Sequence, residues 1–210
     1  MLRERRGQRQ RAARALTMAR ARRSALRPRH FDEEIPVAHA ALPFIPLQIA
    51  VLTVSDTRGL DEDTSGDLLV ERLTADGHHL RDRRLCRDDV YAMRAIVSAW
   101  IADPAVDVVL TTGGTGMTAR DSTPEALLPL FDRVVDGFGE LFRQLSVDDV
   151  GTSTIQSRAV GGFANRTMIF CLPGSTGACR TAWDRILHEQ LDARHRPCNF
   201  VGQTGAVDRA

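Results

Sequence analysis

The sequence predicts an α/β fold, a three-layer α/β/α sandwich in which helices cover both faces of a mostly parallel, Rossmann-like sheet. Two observations carry this prediction. Short apolar runs that suit buried strands alternate along the chain with segments whose apolar residues recur at helical spacing. The composition, with 43% hydrophobic and 26% charged residues in a chain of 210, is typical of a globular protein that can bury a sizeable core.

Three apolar runs are predicted to be the central strands of the sheet. They are residues 47–54 (LQIAVLTV), 106–110 (VDVVL) and 167–172 (TMIFCL). Each is short and rich in aliphatic or β-branched residues, as expected for strands that are covered on both faces. The charged segment 79–86 is a weaker candidate and suits an edge of the sheet.

Helices are predicted after these strands. Apolar residues recur at helical spacing from residue 65, from residue 90 until Asp103 and Pro104 end the helix, and over residues 178–191. Another helix is expected to begin at the triplet TPE, with Thr123 as its N-cap and Pro124 at the first helical position.

Residues 1–43 are predicted to be a basic, Arg-rich and disordered extension in front of a domain that spans residues 44–210. All 28 basic residues of the chain are Arg, and 11 of them lie within the first 30 positions. Such a segment has too little apolar surface to offset its ordering entropy. The alternatives are a nucleic-acid arm, an organelle transit peptide, or a start assigned upstream of a true start at Met18.

The composition also excludes several classes of function. The absence of Lys rules out a complete P-loop and Schiff-base chemistry. No apolar run approaches the roughly 20 residues of a membrane span, and no signal peptide is evident, so the cytoplasm is the expected compartment. Nucleic-acid binding is not expected, because aromatic residues are scarce at 5% and the chain after residue 46 carries a net charge of −6.

Neither the cysteines nor the adjacent histidines indicate a metal site. The cysteines form no CxxC pair and are expected to be buried or half-buried free thiols. His78 and His79 are expected at the surface. The cysteines are Cys86, Cys171, Cys179 and Cys198.

Each central strand is followed by a segment rich in glycine, hydroxyl or acidic residues. Residues 55–58 read SDTR, residues 111–116 read TTGGTG before RDSTPE at 120–125, and residues 172–177 read LPGSTG. The carboxyl ends of parallel strands share one rim, where ligands bind in open α/β sheets. Glycine lets backbone N–H groups approach a phosphate, and helix N-termini favour anions. Together the three segments predict a pocket for a phosphate-bearing ligand, although each alone could be an ordinary turn.

Acidic residues near these loops indicate a divalent cation. Asp121 lies beside the glycine loop, and Asp88 follows the weak strand. Carboxylates near phosphates usually share Mg²⁺, which bridges oxygens that would otherwise repel. The alternative for Asp88 is an N-cap of the next helix. A formal dinucleotide fingerprint over residues 114–119 is rejected, because the next helix begins well beyond its glycines.

The ordered motifs SDT, SG, TTGGTG, RDxTPEA, SRAV and LPGS resemble the MoaB/MogA family of molybdenum-cofactor biosynthesis proteins over residues 44–203. The stretches 151–160 (GTSTIQSRAV) and 191–200 (LDARHRPCNF) are most similar to the MoaB branch. The resemblance implies Mg²⁺-dependent adenylylation of molybdopterin by ATP with release of pyrophosphate, and a homotrimer or homohexamer. Because some MoaB-branch proteins have lost parts of these motifs, the alternative is a non-catalytic molybdopterin-binding or storage protein.

The resemblance also implies which residues form the site. Asp88 and Asp121 are the expected catalytic residues and Mg²⁺ ligands, and catalysis would rest on alignment and charge neutralisation at the α-phosphorus. Arg158 is a weaker candidate that could equally form a structural ion pair or a subunit contact. The residues expected to bind substrate are Asp56, Ser65, Gly66, Gly113, Gly114, Thr115, Gly116, Thr123, Pro124, Glu125, Ser157, Gly174 and Ser175. Which loop holds the pterin and which holds the nucleotide stays open.

Overall fold

The computed structural model describes residues 43–210, so the predicted extension lies outside the described residues apart from its last position. The strands are β1 (Gln48–Val54), β2 (His79–Cys86), β3 (Val108–Thr112), β4 (Arg133–Val134), β5 (Val160–Ala164) and β6 (Thr167–Leu172). They form one sheet in the order β2-β1-β3-β6-β5-β4. The β1–β2, β1–β3 and β3–β6 pairs are parallel, whereas β5 is antiparallel to both of its neighbours.

The helices lie between these strands in sequence. They are α1 (Thr64–Ala75), α2 (Val90–Ala102), α3 (Thr123–Leu127), α4 (Asp136–Val150), α5 (Thr176–Ala182) and α6 (His188–Gln190), and a π-helical segment, Trp183–Leu187, joins the last two. Short 3-10 turns occupy Leu60–Glu62, Leu128–Leu130, Gly151–Gln156, Val201–Gln203 and Gly205–Asp208. In the described part of the chain no helix has the length and apolar character needed to cross a membrane.

Two hydrophobic cores lie on opposite faces of the sheet, because successive strand side chains point in opposite directions. Ile49 and Val51 of β1 belong to the core that α1, α4 and α5 cover. Ala50 and Leu52 belong to the core under α2 and α3. This arrangement confirms the predicted three-layer α/β/α fold with a mostly parallel sheet.

The predicted central strands and the edge strand are all present, but β3 begins at Val108 and not at residue 106. Asp107 is fully buried, and its carboxylate accepts a hydrogen bond from Gln48 N at 2.9 Å and pairs with Arg209. A buried carboxylate is stable only with such partners. Asp107 therefore joins β1 to the chain end instead of extending the strand.

The antiparallel strand β5 and the helix α4 were not predicted from the sequence. Two consecutive glycines, Gly161 and Gly162, weaken the strand pattern of β5. They also make room for aromatic rings, since a Cβ on Gly162 would lie 2.2 Å from Phe131 Cδ2. In this part of the sheet, the formation of a strand depends on tertiary packing and not on the local sequence pattern.

The expectation for the cysteines holds for three of the four. Cys171 and Cys179 are buried and Cys86 is half-buried, whereas Cys198 is exposed. Cys198 lies in the irregular segment after α6, outside the sheet and its covering helices. All four are free thiols.

His78 is buried, contrary to the surface position expected for it, whereas His79 is exposed as expected. The Nδ1 of His78 accepts a hydrogen bond from Leu47 N at 3.2 Å, and the centroid of the His78 ring lies 5.2 Å from that of Phe44. Burial lowers the pKa of His78 to about 4, and His79 and His188 act in the same direction against Asp76 and Asp192. The neutral ring is therefore part of the core beside β1.

We expect His78 to make the fold sensitive to acid. Its pKa is about 4 in the folded protein against 6.5 ordinarily, so the unfolded chain binds the additional proton first and stability falls as the pH drops from 6.5 towards 4. The loss between pH 7 and pH 5 should be about 2 kcal/mol. His78→Asn keeps an acceptor for Leu47 N and should lack this component in urea unfolding at both pH values.

The matched control is His79→Asn, which changes the exposed neighbour. It should retain the full dependence on pH. If His78→Asn loses as much stability as the wild type between pH 7 and pH 5, burial of a neutral His78 is not the cause of the acid sensitivity.

Candidate functional site

The carboxyl ends of β1, β3 and β6 open onto one cleft of about 430 Å³. The segments predicted to meet at this rim all reach it, since the cleft is lined by residues 53–58 (except Asp56), 112–116 and 173–175. Asp121, Gln156 and Ser157 complete the lining. The topology therefore brings together the glycine loops that are far apart in the chain.

The loop after β3 approaches the ends of both neighbouring strands. Gly113 N donates a hydrogen bond to Leu172 O at 3.0 Å, and a Cβ on Gly113 would lie 2.1 Å from Val54 O. Gly113 has φ +105°, a conformation that other residues rarely adopt. Only glycine allows this turn and this contact at once.

Thr123 ties the same loop to α3. Its Oγ1 donates to Gly113 O at 2.8 Å, and its backbone N donates to Gly114 O at 2.9 Å. Thr123 is therefore not the N-cap that the sequence predicts. Ser122 takes that position, and Pro124 lies in the first turn as expected. The prediction is wrong because the loop carbonyl uses the hydroxyl that would otherwise cap the helix.

Asp88 is turned towards the glycine loop and not towards the helix that follows it. Its carboxylate accepts hydrogen bonds from the backbone N of Ser122 at 3.1 Å and from the Ser122 hydroxyl. The N-cap of α2 is the next residue, Asp89, which accepts from Ala92 N at 2.7 Å. Partial burial raises the pKa of Asp88, as do the nearby charges of Asp121 and Asp56, although the Ser122 hydrogen bonds lower it.

Asp121 has the opposite electrostatic environment. Its Oδ2 accepts from Thr118 Oγ1 at 2.6 Å and from Thr118 N at 2.9 Å. These bonds, led by that of the hydroxyl, lower the pKa of Asp121 below its usual value, and Arg158 contributes to the shift. Asp121 is thus held as a carboxylate beside the loop, where a Cβ on Gly116 would lie 2.8 Å from its Oδ2.

The donor set at this rim fits Mg²⁺ brought by a phosphate ligand. Asp56, Asp88 and Asp121 present hard oxygen donors of the kind Mg²⁺ prefers. Among residues 43–210, however, no cluster of three or more His, Cys, Asp or Glu side chains could hold a metal ion alone. Mg²⁺ is commonly bound by one or two carboxylates together with substrate phosphates, and this rim offers that incomplete set.

Arg158 clamps the loop from the side. Its Nε donates to Gly116 O at 2.8 Å and its Nη2 to Asp121 O at 2.7 Å, while Nη1 forms an ion pair with Glu125. Of the roles considered for Arg158, the structure realises the structural ion pair. Glu125 is correspondingly directed at Arg158 and holds it in place.

Comparison with known proteins agrees with this geometry. Residues 50–193 match the family model described as "Probable molybdopterin binding domain". The chain belongs to the MoaB/MogA family of molybdenum-cofactor biosynthesis proteins. It is 58% identical over 164 residues to molybdenum cofactor biosynthesis protein B of Escherichia coli (strain K12), covering 78% of this chain and 96% of that protein.

Solved structures of MoaB and Mog proteins are also similar to this chain. The tungsten cofactor synthesizing protein MoaB from Pyrococcus furiosus has a TM-score of 0.61 and 38% identity, covering 69% of this chain and 92% of its own. The molybdopterin biosynthesis Mog protein from Mycobacterium ulcerans has a TM-score of 0.60 and 29% identity, with 69% and 97% covered. The match thus includes nearly all of both relatives.

Four of the residues expected to bind substrate in this MoaB/MogA domain lie beneath the cleft and not in its lining. They are Ser65, Gly66, Thr123 and Pro124, all of which are buried. Ser65 is only 1% exposed, and its Oγ donates to Gly174 O at 3.0 Å, so it fixes the turn after β6 from below. Asp56 lies on the lip of the cleft and pairs with Arg120 at 2.7 Å.

A buried ion pair beneath the cleft was missed in the sequence. Asp63 is the N-cap of α1, and its Oδ1 accepts from Gly66 N at 2.9 Å. Its Oδ2 accepts from Thr53 Oγ1 at 2.7 Å and pairs with Arg83 at 2.8 Å. An Asp directly before a helix is a recognisable N-cap signal, but its partners on β1 and β2 follow only from the sheet order.

We expect the loop to require glycine at position 114. It has φ +63°, and a Cβ would lie 2.3 Å from Thr123 Oγ1 and 2.6 Å from Asp88 Oδ2. Gly114→Ala should lower the free energy of unfolding by about 1–3 kcal/mol, the scale of backbone strain at such a position. Chemical denaturation measures this change.

Gly137→Ala is the matched control, because nothing lies within 4 Å of a Cβ at that position in α4. It should be neutral or slightly stabilising, since Ala is the better helix former. Equal stability of the two variants would contradict the close packing around Gly114.

Proposed function

We propose that the cleft catalyses Mg²⁺-dependent transfer of the adenylyl group of ATP to the terminal phosphate of molybdopterin, in the cytoplasm. A phosphate oxygen of molybdopterin attacks the α-phosphorus of ATP. The bond from that phosphorus to the bridging oxygen breaks, and pyrophosphate leaves with the electron pair. The observation that carries the proposal is the convergence of two glycine turns and the Asp121 carboxylate on one cleft, with Asp88 against the glycine loop, in a molybdopterin-binding family domain.

Backbone N–H groups support phosphate binding on two sides of the cleft. The 113–116 loop follows β3, and the turn at 173–175 leads into α5, whose first turn is capped by Ser175 through Ala178 N at 3.2 Å. The helix continues through the π-helical segment to Gln190, so its N-terminus lies at the end of a long helical run. Such an end attracts phosphate oxygens without any Lys.

Asp88 and Asp121 would hold Mg²⁺ together with phosphate oxygens, and the ion would supply neutralisation of charge at the reacting phosphates. The protein itself contributes position. Ser122 orients Asp88, and Thr118 orients Asp121. Arg158 holds the loop that carries the glycine N–H groups as well as Asp121. Because the attacking group is a substrate phosphate, no Ser or Cys needs activation, and alignment accounts for most of the catalysis.

A non-catalytic molybdopterin-binding or storage role is the other candidate. It uses the same cleft but requires no ionised carboxylates beside the glycine loop. The placement of Asp88 and Asp121 against the glycine loop favours the enzyme, because a Mg²⁺-dependent transfer uses these carboxylates and storage does not. Turnover separates the two functions directly.

The enzyme should form adenylylated molybdopterin and pyrophosphate when it is incubated with molybdopterin, ATP and Mg²⁺. Asp121→Asn should reduce turnover by at least about 10², the scale for loss of an electrostatic contact to the transition state. Binding of molybdopterin should change much less, because the glycine turns remain. Product formation is followed by chromatography, and pterin binding by titration.

Asp208→Asn provides the control for Asp121→Asn. It removes an exposed carboxylate charge paired with Arg166, which precedes β6 at the end of the strand opposite the cleft, so turnover should stay within a few-fold of the wild type. Normal turnover by Asp121→Asn at saturating Mg²⁺ would contradict the metal-ligand role. Pterin binding without any turnover by the wild type would favour storage.

We also propose that the chain assembles into a homotrimer or homohexamer. An apolar surface on α4 and the turn after it supports this proposal, with Val147 49%, Val150 53% and Ile155 78% exposed. A second copy of this chain is the proposed occupant, because the family resemblance implies self-assembly and such patches often mark interfaces.

Ile155→Asp should shift the protein towards monomer in light scattering at micromolar concentration, since a charge at an interface centre is left unpaired. Tyr91→Asp is the control, because Tyr91 is 77% exposed on α2, away from this surface. A wild-type monomer would contradict the proposed assembly. A monomer from both variants would contradict the choice of surface.

A further inference from the structure

Three arginines around the cleft are engaged in ion pairs. Arg120 pairs with Asp56, Arg158 with Glu125, and Arg83 with Asp63. Arg58 is the one arginine that lines the cleft within residues 43–210. In that part of the chain its guanidinium has neither a hydrogen-bonding partner nor an ion pair.

The backbone around Arg58 is held in place even though its side chain is free. Ser55 Oγ accepts hydrogen bonds from Arg58 N at 3.1 Å and from Thr57 N at 3.4 Å. Ser55 directly follows β1, whose end contacts the glycine loop. The turn therefore presents the guanidinium at the exposed lip of the cleft while anchoring its base to the sheet.

The charge at the rim makes this arginine significant. Asp121 is the only acidic residue among the described residues that line the cleft, and Asp88 adjoins it at the glycine loop. Asp56 and Glu125 are paired with their arginines, whereas neither Asp88 nor Asp121 has an ion pair among the described residues. A polyphosphate entering this rim meets repulsion that Mg²⁺ and a free cation together would offset.

We propose that Arg58 is a catalytic residue that binds the β- and γ-phosphates of ATP and stabilises the departing pyrophosphate. The inference rests on the proposed function. When the bond between the α-phosphorus and the bridging oxygen breaks, the electron pair stays on pyrophosphate, which gains negative charge. A guanidinium can bind two phosphate oxygens at once, and this interaction strengthens as that charge develops.

The position of Arg58 favours pyrophosphate over the phosphate of molybdopterin. Pyrophosphate must leave to solvent after each turnover, and Arg58 lies on the exposed lip, whereas the deeper lining is formed by buried Gly113 and Thr115. Pyrophosphate also carries more charge than a phosphate monoester, so the guanidinium at the lip gains more from it.

The test compares Arg58→Gln and Arg58→Lys in the full chain. Titration calorimetry with pyrophosphate and Mg²⁺ reports binding without turnover, and steady-state kinetics report kcat/KM for ATP and KM for molybdopterin. Arg58→Gln should weaken pyrophosphate binding by about tenfold or more, the scale of one lost charged hydrogen bond. It should lower kcat/KM for ATP by a similar factor, with KM for molybdopterin unchanged. Arg58→Lys keeps the positive charge and should retain part of the pyrophosphate affinity and part of the kcat/KM for ATP.

Arg81→Gln is the control, because Arg81 pairs with Asp103 near the start of β2, remote from the rim. It should leave pyrophosphate affinity and kinetics unchanged. A rise in KM for molybdopterin with normal pyrophosphate binding by Arg58→Gln would overturn the inference in favour of the pterin phosphate. An active wild type whose Arg58→Gln variant is unaltered would overturn the inference alone, whereas absence of adenylylation by the wild type would overturn the proposed function as well.

Discussion

The site depends on one close backbone approach, that of Gly113 to the ends of β1 and β6. Gly113 N donates to Leu172 O at 3.0 Å, and the space beside Val54 O admits no side chain. The parallel register places Thr53, Thr112 and Leu172 side by side at the strand ends, and this contact joins the loops that follow them. Thr123 then holds the loop from the other side through Gly113 O. Without this junction the two glycine turns would not open onto one cleft.

Charge at the rim is organised around that junction. Asp88 and Asp121 both lie against the glycine loop, yet their pKa values move in opposite directions. Asp88 is partly buried near two other carboxylates, whereas Asp121 is stabilised as an anion by the Thr118 hydrogen bonds. Two carboxylates at the glycine loop repel a phosphate that enters alone, and a cation that binds with the phosphate offsets this repulsion. This constraint links the Mg²⁺ proposal to the role inferred for Arg58.

Much of the fold and part of the site could be predicted from the sequence. The central strands follow from local apolar runs. The glycine loops follow from clusters of Gly, Ser and Thr directly after those runs. Strand β5 could not be predicted, because Gly161 and Gly162 carry no side-chain pattern and the strand exists only against β6. The bond between Asp88 and Ser122 spans 34 positions in the chain, and local patterns do not register such pairs.

The sequence by itself determined the class of fold, the family and the kinds of residue that reach the rim. These properties depend on periodicity and motif order, which are local. The tertiary structure alone decided which of those residues line the cleft. Ser65 and Gly66 belong to a motif of the rim, but packing of α1 against the turn at Gly174 buries them. The arginines look alike in sequence, and only the positions of Asp56 and Glu125 show that Arg120 and Arg158 are paired while Arg58 faces the cleft. Burial and charge balance arise from residues far apart in the chain, so they exist only once the sheet has brought those residues together.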